Sequence, residues 1–184
     1  MNTLDHTQYH FPGTTRLLPR WYALYLRSRY EKKVARELER KNIEQFLPLI
    51  EEVHVWSDRK KKVTEPLFRG YLFVKTDLRD REAILKTNGV IRFVGIQNKP
   101  SRVPDLQIDW LRRVVGGSKE VKRESYLEVG ERVRIISGPL IGVEGIINRV
   151  NGGSRVIVPI AAVQQSVSFQ VPSELLEIIR SNDG

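Results

Sequence analysis

The sequence predicts an α+β fold in two parts: an antiparallel sheet with flanking helices, then a small SH3-like β-barrel. Three observations carry that reading. Helical patterns alternate with short aromatic or β-branched runs up to about residue 115, in the order β-α-β-β-α-β-α. A polar segment with paired glycines, residues 116–126, then interrupts all periodicity. Beyond it only short β-rich runs remain, several separated by glycine-containing turns. The expected organisation is a mobile extension over 1–19, a first domain over 20–115, a flexible linker over 116–126 and a barrel over 127–180.

Trp21-Tyr22-Ala23-Leu24-Tyr25-Leu26 is aromatic, apolar and bounded by charge, as a strand requires. Ser28 stands three residues before Glu31, the spacing of a capping box, and Val34, Ala35 and Leu38 mark one face behind it. An amphipathic helix is therefore expected from about Arg29 to Lys41. Glu44 to Trp56 reads as strand, and Ser57-Asp58-Arg59-Lys60-Lys61-Lys62, with no apolar residue, as a solvated hairpin tip. Pro66 to Gly70 leads through a turn into Tyr71-Leu72-Phe73-Val74-Lys75. Successive side chains of a strand face opposite ways, so Tyr71 and Phe73 share one face and Leu72 and Val74 the other. Both faces are apolar, and the second must lie under another element or a partner. A short helix near Asp80 to Thr87 stops at Asn88-Gly89, and Val90 to Val94 is a strand. Asp105 begins a helix with Leu106, Trp110 and Val114 as its inward stripe, ended by Gly116-Gly117.

Hydrophobic residues make up 40% of the 184, too many for a disordered chain. No run approaches the roughly 18 to 20 apolar residues of a bilayer span, and the N-terminal stretch lacks the apolar core of a signal peptide; the expectation is a cytoplasmic protein with no membrane partner. The formal charge of +9 and a pI near 9.9 favour acidic partners. With no cysteine there are no thiolate metal ligands. His6, His10 and His54 have no metal-binding spacing, no glycine-rich loop ends in Lys-Ser or Lys-Thr, and Asp77, Asp80 and Glu82 read as the acidic first turn of a helix. Neither catalytic residues, a metal nor a cofactor is expected.

Val129-Gly130-Glu131-Arg132-Val133-Arg134-Ile135 followed by Ser137-Gly138-Pro139-Leu140-Ile141-Gly142-Val143-Glu144-Gly145 resembles a KOW motif. Gly138 and Gly142 permit tight turns and Gly145 lets a neighbouring strand approach. Trp21-Tyr22-Ala23-Leu24 and Glu65-Pro66-Leu67-Phe68-Arg69-Gly70-Tyr71-Leu72-Phe73-Val74 are similar to the first strand and central signature of the NusG N-terminal (NGN) domain. The resemblance runs from about Arg20 to Arg180 and implies a monomeric transcription elongation and antitermination factor that binds RNA polymerase, suppresses pausing and promotes read-through. The EPLF-x-x-YLFV wording looks more like the operon-specific RfaH and UpxY-type relatives, which act on polysaccharide operons. The general factor carries a Phe-Gly-Arg run where its barrel meets ribosomal protein S10 or Rho; here that stretch is Ile160-Ala161-Ala162-Val163-Gln164-Gln165. A general factor coupling polymerase to ribosome or Rho, and an RNA-binding, ribosome-associated KOW protein, stay open as alternatives.

Carried over residue by residue, the resemblance implies that Tyr25, Phe68, Tyr71 and Phe73 form the apolar patch that meets the β′ clamp helices of polymerase. It implies contact with the non-template DNA strand through Arg27, Arg29, Lys32, Lys33 and Arg40 on the first helix, with Thr87 and Asn88 after the second. A basic helical face that is merely solvated is the plain alternative. For the C-terminal segment, Gly138, Gly142, Gly145, Gly152, Gly153, Pro139, Pro159 and Pro172 oppose the helical hairpin known in RfaH, each Gly by about 1 kcal/mol and each Pro by about 3.

Overall fold

The computed structural model describes residues 18–55, 60–117, 121–125, 130–150 and 153–179. Most of the expected N-terminal extension, with His6 and His10, lies outside these residues, as do Trp56 to Arg59 and the side chain of His54.

The N-terminal part is built on β1 (Arg20–Leu26), β2 (Glu44–Phe46), β5 (Tyr71–Thr76), β6 (Val90–Phe93) and β9 (Arg102–Val103), in the order β2-β5-β1-β6 with β9 also paired to β1. Its pairings are antiparallel, with Ala23 opposite Phe73 and Leu24 opposite Leu72. Between them stand α1 (Glu31–Arg40), the hairpin β3 (Leu49–Val55) and β4 (Lys60–Pro66), α2 (Arg81–Leu85), the small hairpin β7 (Gly95–Ile96) and β8 (Lys99–Pro100), and α3 (Asp105–Gly117).

The strand alternation divides the aromatic runs as expected. Tyr22, Leu24, Leu26, Leu72 and Val74 pack beneath α1 and α2 with Val34, Leu38 and Ile84. Trp21, Ala23, Phe73 and Phe68 face the other way, into a cluster with Ile108, Leu111 and Val114 of α3. That cluster continues without a break into the C-terminal part.

The C-terminal part is a six-stranded antiparallel sheet of β10 (Lys122–Ser125), β11 (Arg132–Ile135), β12 (Glu144–Val150), β13 (Gly153–Ile160), β14 (Gln165–Val171) and β15 (Leu176–Ile178), ordered β10-β14-β13-β12-β11-β15. The segment is thus β, as its glycines, prolines and β-branched runs require. Gly138 and Gly142 take φ of 84° and 81°, the left-handed region that glycine enters freely. At Gly145 a Cβ would stand 2.6 Å from the Ile157 carbonyl oxygen, so the close strand approach demands glycine.

Four local expectations are corrected. Ser28 does not cap α1: Arg29 turns left-handed (φ 66°), the helix starts at Glu31 with Tyr30 as its cap residue, and no side chain caps it. Glu31 is buried instead and accepts a 2.7 Å hydrogen bond from the Gly70 N–H, a tertiary contact that overrides the local motif. The inward stripe of α3 is Ile108, Leu111 and Val114, whereas Leu106 is 57% exposed. At ~100° per residue, Leu106 falls well away from the arc those three share. Lys60–Lys62 belong to β4, paired with β3, rather than to a tip. Within the expected linker, Lys122–Ser125 form β10 and pair with β14.

Candidate functional site

The outward face of the N-terminal sheet is an aromatic strip. Phe68 meets Phe73 edge to face at 6.1 Å, and Phe46 stacks on Phe73 at 6.3 Å. Tyr25 and Tyr71, paired across β1 and β5, have ring centroids 5.4 Å apart, and the Arg92 guanidinium lies over Tyr25 at 5.4 Å. At the other end, Arg112 of α3 stands 5.1 Å from the Trp21 ring and 5.4 Å from Phe46, and pairs with Glu44 at 3.4 Å. This cation–aromatic stack pins α3 across the strip.

The four residues expected to form the apolar patch are therefore on one face, in two environments. Tyr25 is 36% exposed and Tyr71 half-buried, whereas Phe68 and Phe73 are closed off at 1% and 0%. They belong to one buried cluster with Ile108, Leu111 and Val114 of α3 and with Val133, Val158, Ile160, Val163 and Phe169 of the C-terminal part. Polar contacts fix the docking: Gln107 Nε2 donates to the Pro159 carbonyl (3.0 Å), Arg113 Nη1 to the Ile141 carbonyl (2.6 Å), and Arg123 Nε to the Leu67 carbonyl (3.0 Å). The turn Ala161–Val163, inside the stretch Ile160–Gln165, packs against β1.

The basic residues form a second region. Arg27, Arg29, Lys32, Lys33 and Arg40 are all exposed. The Arg27 N–H donates to the Gly89 carbonyl (2.8 Å), which sets exposed Asn88 beside it. Arg29 and Lys32 line a groove of about 490 Å³ against β4, with Thr64, Glu65 and Arg69, and Lys32 Nζ donates to the Thr64 carbonyl (2.6 Å). Glu65 raises the Arg69 guanidinium above its ordinary value, through a hydrogen bond first and charge second. Thr87 differs from its neighbours. It is 1% exposed, and its hydroxyl accepts from Lys41 Nζ (2.7 Å), so in this arrangement it offers no side-chain surface.

Sequence reasoning missed Arg69, Thr64, Arg112 and Arg123. Arg69 pairs with Glu65 four residues before it, whereas Thr64, Arg112 and Arg123 meet Lys32, Glu44 and Glu52, far away in the chain, and no local spacing announces such contacts. Asp77, read as part of an acidic turn, accepts from the Arg79 N–H (3.1 Å) and pairs with its guanidinium (2.6 Å). Among the described residues no group of three or more His, Cys, Asp or Glu could hold a metal, and no helix is long and apolar enough to cross a membrane.

The family model described as "Transcription termination factor nusG" matches residues 19–112, just over half of the chain. A "Transcription termination/antitermination protein NusG" of Staphylococcus carnosus is 34% identical over 145 residues, covering 71% of this chain and 79% of the relative. The chain belongs to the NusG family. The protein of the same name from Pseudomonas aeruginosa is 32% identical over 145 residues, covering 72% of this chain and 82% of that one. A solved structure titled "Domain interaction in Thermotoga maritima NusG" has the same fold, with a TM-score of 0.53 at 24% identity over 88% of this chain and 98% of its own. The family and the fold agree with an NGN-like part followed by a β part, and the residues matched by the family model span β1 and β5.

Proposed function

We propose that this chain is a transcription elongation and antitermination factor that acts by binding RNA polymerase, not by catalysis. The observation that carries the reading is the aromatic strip: Tyr25, Tyr71, Phe68 and Phe73 occupy one face of a sheet whose other face already supplies the core of its own domain. A tyrosine-rich, partly open face flanked by Arg92 has the composition of a binding hot spot. The β′ clamp helices are the proposed occupant. Tyr25 and Tyr71 are reachable as the domains are docked; Phe68 and Phe73 join the contact only when the C-terminal domain moves off. A factor that binds one state of polymerase better than another shifts its population by that difference, which suppresses pauses. Arg27, Arg29, Lys32, Lys33, Arg40 and Asn88 are proposed to meet the non-template strand, with Thr87 holding Lys41.

An operon-specific role follows from the missing Phe-Gly-Arg run at Ile160–Gln165 and from the packing of that stretch against β1, which withholds it from S10 or Rho while docked. The second reading, a general factor, is favoured by the names of the relatives. Co-purification with core polymerase, followed by transcription across a terminator with and without the protein, tests the proposal: binding and increased read-through support it, and absence of binding ends it.

A further inference from the structure

We propose that Arg92 is a specificity-determining residue at the open end of the strip, where its guanidinium takes an Asp or Glu carboxylate presented by the bound partner. The inference rests on the proposed polymerase site and adds the charged group that the polymerase surface supplies beside its apolar contact.

Tyr25 pairs across the sheet with Tyr71 on one side and with Arg92 on the other. Strands β5, β1 and β6 therefore present Tyr71, Tyr25 and Arg92 as a row on one face. Arg92 is exposed, and its neighbour Ile91 is 48% exposed. Lys75, Arg92 and Arg112 all stand over rings of the strip, yet they differ in how their charge is balanced. At the closed end Arg112, over Trp21, pairs with Glu44 at 3.4 Å. Lys75, over the same ring, lies 4.0 Å from Glu44 and 3.9 Å from Asp105. At the open end Arg92 stands 5.4 Å from the Tyr25 ring centre, and its Nη1 makes a long bond to the Phe93 carbonyl (3.4 Å). Among the described residues it has no carboxylate partner. A guanidinium resting on a ring keeps N–H donors for a carboxylate, which it takes bidentately. A partner seated on Tyr25 and Tyr71 also strips water from Arg92. A surface with a carboxylate at that point converts the desolvated charge into a paired one. A surface without it leaves that charge covered and unpaired, which is costly. The rings supply contact area, and Arg92 selects the partner.

The test titrates the full chain against core RNA polymerase over a series of salt concentrations. Arg92→Gln removes the charge, and Arg92→Lys keeps it without the planar fork. Denaturant unfolding checks both folds, and at an exposed position their midpoints should match the parent's. The expected result is affinity lowered about tenfold in Arg92→Gln and by less in Arg92→Lys, with a shallower salt dependence in Arg92→Gln. Each Asp and Glu of the β′ clamp helices is then changed singly to its amide. One of these changes should weaken binding of the parent by a similar factor and have no further effect on Arg92→Gln. Should Arg92→Gln fold poorly, Arg92→Lys and the polymerase-side amides carry the same comparison. A folded Arg92→Gln that binds as the parent does overturns the inference and leaves the polymerase site standing, as does the absence of coupling to any clamp-helix carboxylate. A parent chain that does not bind polymerase overturns the polymerase reading and this inference with it.

Discussion

Phe68 and Phe73 meet edge to face, planes at 86° and centroids 6.1 Å apart, with both rings closed from solvent. The strip proposed as a binding surface is, in this arrangement, partly an interior. This makes its four aromatics separable by experiment.

Phe73→Ala should destabilise the intact chain by about 3–5 kcal/mol, the cost of an emptied aromatic site in a core. Tyr25→Ala, at a half-open position, should leave unfolding within about 1 kcal/mol of the parent while weakening polymerase binding by about 2 kcal/mol. Denaturant unfolding and binding titrations of both variants check the contrast. Equal stability losses would show that no part of the strip is a free surface.

Two glycines should respond with opposite signs. Gly145→Ala forces a methyl to 2.6 Å from the Ile157 carbonyl oxygen, and overpacking of that kind costs about 1–3 kcal/mol. Gly116→Ala, in α3 with nothing within 4 Å, should raise stability by up to about 1 kcal/mol. Thermal unfolding of the pair reads the signs directly.

Glu31→Ala should cost about 1–3 kcal/mol, because the buried Gly70 N–H loses the carboxylate that accepts its hydrogen bond. Glu31→Gln keeps an oxygen for that donor and should cost less. A loss that is the same for both would place the contribution in charge rather than in this bond.

Arg29→Glu with Lys33→Glu should abolish sequence-dependent recruitment while polymerase binding at high protein concentration survives, and recruitment by the parent should fall steeply with salt. Thr87→Ala should act on stability through Lys41. Recruitment by the double variant at the parent's level would leave the helix face merely solvated.

Much of this was legible because it is local. Alternation in Tyr71 to Val74 announced two apolar faces, and the β-branched and glycine-rich texture after residue 126 announced a sheet. What was not legible depends on distant partners. Ser28 and Glu31 have capping-box spacing, yet Gly70, 39 residues on, claims the Glu31 carboxylate. Leu106 and Trp110 are large and apolar, but the smaller Ile108–Leu111–Val114 stripe matches the sheet. Lys122–Ser125 read as linker because charge and polarity hide a strand whose partners, Gln165–Ser168, lie far along the chain. Phe68 and Phe73 share a buried cluster with residues of the C-terminal part, and no motif within either half encodes that.

The most direct measurement of the central claim is photo-crosslinking from the open end of the strip. A benzophenone side chain replaces Tyr25 in the full chain, which is added to a stalled elongation complex and irradiated. The account predicts an adduct with the β′ subunit of RNA polymerase, lost when excess unlabelled protein competes. An adduct with a ribosomal protein or with RNA, and none with polymerase, would contradict it.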